Sequence, residues 1–173
     1  MSQKSILIVE SPTKVKTIQK YLNEEYDVIS CVGHVKDLPS NELGIDVEND
    51  FEIKLSVLPD KKKFISELRK KSKKAPRVLI ATDPDREGEA IAAHLATEVP
   101  EEKMERVQFT EITKEGIQEG IENIRGIDTD LVQAQTARRV IDRLVGYKVS
   151  PVLWATLQSN MKFVKTTLSA GRV

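Results

Sequence analysis

Four carboxylates crowd into seven residues at Asp83-Pro84-Asp85-Arg86-Glu87-Gly88-Glu89. Pro84 biases Asp83 toward an extended conformation, and alternate residues of an extended chain project to one side, which lets Asp83, Asp85 and Glu87 converge. Converging hard oxygens suit Mg²⁺, a cation that keeps several waters and takes one or two carboxylates together with substrate phosphate. Arg86 is placed to screen part of their mutual repulsion. Acidic residues also favour a helix N-terminus, where the macrodipole stabilises each by about 0.3–1 kcal/mol, but that accounts for one or two of the four. Glu10 closes a second apolar run, Ser5-Ile-Leu-Ile-Val-Glu10, much as Asp83 follows Arg77-Val-Leu-Ile-Ala-Thr82. If these runs are parallel neighbours, carboxylates from two distant segments meet at one sheet edge. Crowded like charges favour a carboxyl that keeps its proton near neutrality, and Glu10 is the candidate general acid. Lys14, one helical turn beyond, can set an ammonium on a phosphate at that helix N-terminus.

The elements that must hold these groups follow from apolar periodicity. The runs ending at Glu10 and Thr82 are apolar on both faces, as strands of a covered parallel sheet require. Ser11-Pro12 reads as N-cap and first helical residue, with Val15, Ile18, Tyr21 and Leu22 at helical spacing. Residues 26–32 and 51–58 read as extended, 61–74 as a helix, 86–98 as a helix, 106–109 as a strand and 112–124 as a helix. Alternating strands and helices predict an α/β fold, a Rossmann-like parallel sheet flanked by helices with right-handed crossovers. Strand signals stop near Asp128. One long helix is expected over 130–147, and a shorter one from Pro151, so the reading is a domain over 1–127 followed by an incomplete helical segment over 128–173.

At 173 residues the chain is long enough to bury roughly 68–70% of its unfolded surface and so to form a real core. No apolar run approaches the roughly 20 residues of a membrane span, and the opening is too short in apolar residues for a signal peptide. A cytoplasmic protein with no membrane partner is expected. The single cysteine, Cys31, excludes an intrachain disulfide or a Cys-x-x-Cys zinc ribbon within the chain. The 27 basic and 27 acidic residues balance but segregate. Residues 60–77 hold nine basic against two acidic, 98–130 ten acidic against four basic, and 131–173 seven basic against Asp142 alone. Such blocks are most often solvated helix faces. In the last block, however, helical rotation sets Ala137, Val140, Ile141 and Leu144 on one side and Arg138, Arg139, Asp142 and Arg143 on the other. With Tyr147, Ser169 and Arg172, this arginine face suits a single nucleic-acid strand, which proteins hold by stacking aromatics and by cations. His34 and His94 are read as structural.

Six segments carry a resemblance. Val9-Glu-Ser-Pro-Thr-Lys14, Gly33-His-Val-Lys-Asp-Leu-Pro39, Ala81-Thr-Asp-Pro-Asp-Arg-Glu-Gly-Glu89, Phe109-Thr-Glu-Ile112, Ala137-Arg-Arg139 with Asp142-Arg143, and Leu168-Ser-Ala-Gly-Arg-Val173 stand in the order seen in the bacterial type IA DNA topoisomerase I family. The Asp-x-Asp-x-Glu element with its upstream Glu resembles the Toprim domain, also found in primases and type II topoisomerases. The resemblance implies a Mg²⁺-dependent, ATP-independent, monomeric enzyme of the bacterial nucleoid that relaxes negatively supercoiled DNA by cutting and resealing one strand. The lack of a Gly-x-x-x-x-Gly-Lys-Ser/Thr loop agrees with it. It implies that Glu10 moves a proton to or from the DNA hydroxyl, that Lys14 contacts the scissile phosphate, and that Asp83, Asp85 and Glu87 bind Mg²⁺. Arg139, Asp142 and Tyr147 would surround a base of the cleaved strand, favouring cytosine upstream of the cut, and Ser169 and Arg172 would contact the DNA backbone. The family's nucleophile is a Tyr of a later domain, and Tyr21, Tyr26 and Tyr147 do not stand in its sequence context. An amino-terminal fragment, inactive alone, is therefore expected. A Toprim nuclease or primase and a non-catalytic DNA-binding module are the alternative readings.

Overall fold

A computed structural model describes residues 3–158 of the chain; Ser169 and Arg172 lie outside the described residues. Ser5–Val9 (β1) buries four apolar side chains in succession, and each face finds its own cover. Ile6 and Ile8 join a cluster with Val78, Ile80, Ile91 and Leu95, while Leu7 and Val9 join another with Ile18, Leu79, Val107 and Ile117. That split is the period of two of a strand sandwiched between layers. Pro12–Tyr21 (α1) starts as its sequence requires. Ser11 is extended, its hydroxyl accepts from Thr13 N at 3.2 Å, and Pro12 occupies a position whose N–H has no partner in a helix anyway.

Tyr26–Ser30 (β2) pairs with β1 in parallel, Ser5 opposite Tyr26. Four two-residue strands follow, Lys36–Asp37 (β3), Ile45–Asp46 (β4), Glu52–Ile53 (β5) and Ser56–Val57 (β6). The extended run expected over 51–58 divides into β5 and β6, separated by Lys54 and Leu55, and Asp50 and Phe51, both left-handed at φ 47° and 57°, turn the chain so that β5 runs antiparallel to β4. A short 3₁₀ turn leads into Lys62–Lys74 (α2), then Val78–Ile80 (β7), Arg86–Ala96 (α3), Met104–Arg106 (β8) and Lys114–Glu122 (α4). The sheet order is β2-β1-β7-β8, parallel at every pairing, with Ile8 opposite Ile80 and Ile80 opposite Arg106. Parallel register brings the ends of β1 and β7 out side by side. The last strand lies earlier than the sequence suggests, because Met104 packs against the core and the charged Arg106 is itself an interior residue.

Thr129–Leu144 (α5) passes through a π turn at Val145–Val149 into Ser150–Gln158 (α6). The π turn lies directly upstream of Pro151, whose ring and missing N–H a regular α-helix does not accommodate. Among the described residues no helix is long and apolar enough to cross a membrane. The chain divides into two compact units. The first takes the described residues through Asp37 together with Val57–Gln133, and the second takes Leu38–Ser56 with the described residues from Ala134 onward. Residues 38–56, which the sequence reading places within 1–127, thus cluster with the later helices, around Leu38, Ile45 and Val140.

Candidate active site

The paired strand ends bring Glu10 to Asp83. Glu10 Oε1 accepts the backbone N–H of Asp83 at 2.9 Å across 73 residues of sequence. The ammonium of Lys14, from the first turn of α1, donates to Asp83 Oδ1. Asp85 is extended and caps α3, its Oδ1 accepting from Gly88 N at 2.8 Å. Glu87 Oε2 lies 2.9 Å from Nε2 of His34. Thr82 closes the turn by donating its hydroxyl to Gly88 O at 2.7 Å.

Asp83 and Asp85 therefore stand on the loop between β7 and α3 and Glu87 in the first turn of α3, each turned to a different partner. Among the described residues no three His, Cys, Asp or Glu side chains already form a metal cage. The Lys14 ammonium meets Asp83 and the His34 imidazole meets Glu87, while Arg86 is solvent-exposed. Asp83 and Glu87 keep 46% of their side chains exposed, so water and an incoming phosphate reach them. Hard oxygen donors that stay accessible beside an ammonium and an imidazole suit Mg²⁺, which needs one or two carboxylates rather than a full protein cage.

His34 reaches Glu87 from a strained loop. Val32 and Gly33 both adopt positive φ, 55° and 81°, a conformation that costs a β-branched residue such as Val on the order of 1–3 kcal/mol. Lys61 offsets it by donating to Cys31 O at 3.2 Å and Val32 O at 2.8 Å, and Ser30 Oγ links Val32 N to the carbonyl of Glu10. Behind His34, the ring of His94 lies 5.9 Å away at 55°, with its Nδ1 buried and without a hydrogen-bond partner. Burial first, then the neighbouring His34 and Lys36, push His94 down to about 4. Burial, followed by the charge of Glu10, pushes the Cys31 thiol up to about 11.

Sequence reasoning missed the pair behind the loop. Arg106 and Glu89 are 0% and 1% exposed and meet at 2.6 Å. Glu89 was legible only as one more acid in a helix first turn, and Arg106 only as the start of a strand.

In the second unit, Arg143 donates to the carbonyls of Leu38 at 3.2 Å and Pro39 at 2.9 Å, with its guanidinium 5.2 Å from the Tyr147 ring centroid. Tyr147 donates its hydroxyl to Ser40 O at 3.0 Å. Arg138, Arg139 and Asp142 are partly exposed. Of the four apolar residues grouped on one side of the helix, Val140 and Leu144 face the Leu38–Ile45 cluster but Ala137 and Ile141 do not: Ile141 is 60% exposed. Arg143, partly buried against the carbonyls of Leu38 and Pro39, takes part of that face instead, while Tyr147 stays 40% exposed.

A fold with carboxylates gathered beyond the ends of two adjacent parallel strands defines a class, and the chain belongs to it: the Toprim domain model matches residues 5–112, and this is a member of the Toprim family. Over 96% of its length the chain is also similar, at 44% identity and a TM-score of 0.82, to full-length topoisomerase I from Thermotoga maritima, and it spans 27% of that protein.

Proposed function

We propose that the chain is the amino-terminal part of a type IA DNA topoisomerase I, which relaxes negatively supercoiled DNA by transient cleavage of one strand with Mg²⁺ and without ATP. The observation that carries this is the junction of Glu10, Lys14 and Asp83 at the adjoining ends of β1 and β7. It sets a carboxyl, an ammonium and metal-ligand oxygens within reach of one phosphodiester. Asp83, Asp85 and Glu87 hold the Mg²⁺, which supplies charge neutralisation at the scissile phosphate. Glu10, fixed by the Asp83 N–H through Oε1, exchanges a proton with the DNA hydroxyl that leaves on cleavage and attacks on resealing. Lys14 shares its ammonium between Asp83 and the phosphate. Arg138, Arg139, Asp142, Arg143 and Tyr147, with Ser169 and Arg172, hold the single strand on the cut's upstream side, where cytosine is favoured. The nucleophilic Tyr belongs to another part of the protein, since none of Tyr21, Tyr26 and Tyr147 stands in the sequence context of the family's nucleophile. The whole protein acts as a monomer on the nucleoid in the cytoplasm.

The test is a chimera in which this chain replaces its matching segment of the Thermotoga enzyme. It should relax negatively supercoiled plasmid with Mg²⁺ and no ATP, and lose that activity with Asp83→Asn and Asp85→Asn together. Irreversible nicking without relaxation would favour the Toprim nuclease reading, and activity untouched by the double substitution would reject the site.

A further inference from the structure

We propose that Arg106 and Glu89 form a buried brace that positions the carboxylate loop by fixing the backbone of Asp83, and that this positioning sets the loop's affinity for a divalent cation. The first half stands on geometry alone; the second rests on the reading of Asp83, Asp85 and Glu87 given above.

A guanidinium carries five N–H donors in a planar fork, and Arg106 places all five. Nε and Nη2 donate to Glu89 Oε1 at 3.1 and 2.6 Å, Nη1 to Ile80 O and Val107 O at 3.1 and 2.6 Å, and Nη2 to Asp83 O at 3.2 Å. Glu89 spends its other oxygen, Oε2, on the Asp128 N–H at 3.0 Å, and Asp128 Oδ1 in turn accepts from Asp130 N and Leu131 N in the first turn of α5. One carboxylate thus joins the loop's anchor to the residue that precedes α5.

Burying such a pair is weak evidence of stability, because well-packed apolar residues often serve as well or better. What apolar side chains cannot do is satisfy a carbonyl that has left the sheet. β7 ends at Ile80, and Asp83 O, three residues on, is held by Arg106. The peptide before Asp83 is pinned by Glu10 through its N–H, and the peptide after it by Arg106 through its C=O. Both backbone dihedrals of Asp83 are thereby fixed, and with them the direction in which its carboxylate leaves the chain. Arg106 touches no reacting group in this arrangement; it is a positioning residue.

The test uses the chain itself, carrying Arg106→Met and Glu89→Leu together so that no lone charge is left buried. Amide hydrogen exchange and Mn²⁺ titration by electron spin resonance are read side by side. The expected result is parent-like protection at Leu7 and Ile8 in β1, exchange at least about tenfold faster at Asp83 and Gly88, and Mn²⁺ affinity lower by about 10- to 100-fold, as outer-shell substitutions typically give. Arg106→Lys, which keeps the charge but not the fork, should give the same pattern and decides the matter if the double variant does not fold. Parent protection at Asp83 and Gly88 in a folded variant overturns the brace. Faster exchange with unchanged Mn²⁺ affinity overturns its link to the metal. A parent that binds Mn²⁺ no better than Asp83→Asn would reject the metal reading while the exchange data still decide the brace.

Discussion

A β-carbon added to Gly88 would lie 2.1 Å from the carbonyl oxygen of Asp83. The first turn of α3 rests directly on the backbone that carries the site, and only a hydrogen fits between them. Helix propensity alone would make Gly88→Ala stabilising by up to about 1 kcal/mol. The contact reverses the sign, because the obstructing atom is backbone and cannot swing away. Urea unfolding should show a loss of roughly 1–3 kcal/mol, with weakened Mn²⁺ binding. Gly126→Ala, with nothing within 4 Å of the new carbon, should stay within about 0.5 kcal/mol of the parent.

Acid should weaken the fold through His94. Its folded value of about 4 lies below the ordinary 6.5, so between those values the unfolded chain binds a proton that the folded chain does not. Stability is then unaffected above about pH 6.5, falls as pH drops toward 4, and by that point has lost on the order of 3 kcal/mol from this group. Burial is the main cause, His34 and Lys36 add to it and Asp37 opposes it. Urea midpoints measured from pH 7.5 to 4.5 should fall less steeply in His94→Gln than in the parent.

Cys31 should resist modification although it lies next to the site. It is 1% exposed, and its thiol, at about 11 against an ordinary 9.0, is neutral at physiological pH. Alkylation by iodoacetamide at pH 8 should run at least about 100-fold slower than for a free thiol and accelerate to the free rate in urea. Rapid labelling of the native chain would contradict the burial.

Single-stranded DNA should bind this chain weakly, better than duplex of equal length, and with strong salt dependence from counterion release. Arg139→Ala should weaken it more than any single Lys→Ala between Lys61 and Lys74. Two of those lysines are already engaged, Lys61 on carbonyls and Lys71 on Asp27. Fluorescence anisotropy at several salt concentrations decides it, and a dominant α2 block would reject the α5 assignment. Tyr147→Phe, which removes the bond to Ser40 O, should cost about 1 kcal/mol of stability.

The strands that position the site were legible because β1 and β7 are apolar on both faces and each is followed within three residues by an acid, and α1 was legible from Ser11-Pro12. The contacts that complete the site were not. Lys14 meets Asp83 across 69 residues and His34 meets Glu87 across 53, distances over which local spacing carries no information. Arg106 and Glu89 were hidden for a different reason: charge reads as exposure unless its partner is known, and each partner lay in a separate element. The same bias misassigned the inner face of α5. Helical rotation groups Ile141 with Val140 and Leu144 and sets Arg143 opposite, but a guanidinium with two carbonyls to hold can stay partly buried where an isoleucine is exposed.

The Arg106 brace also imposes a schedule on synthesis. Asp83 needs Glu10, made 73 residues before it, and Arg106, made 23 residues after it. At about 5–20 residues per second, a nascent chain that has already paired β1 with β7 waits roughly one to five seconds with Asp83 held on one side only. The last strand of the sheet to leave the ribosome completes the hold on Asp83, so a chain halted before β8 carries every carboxylate of this cluster in its sequence and leaves the Asp83 carbonyl without its anchor.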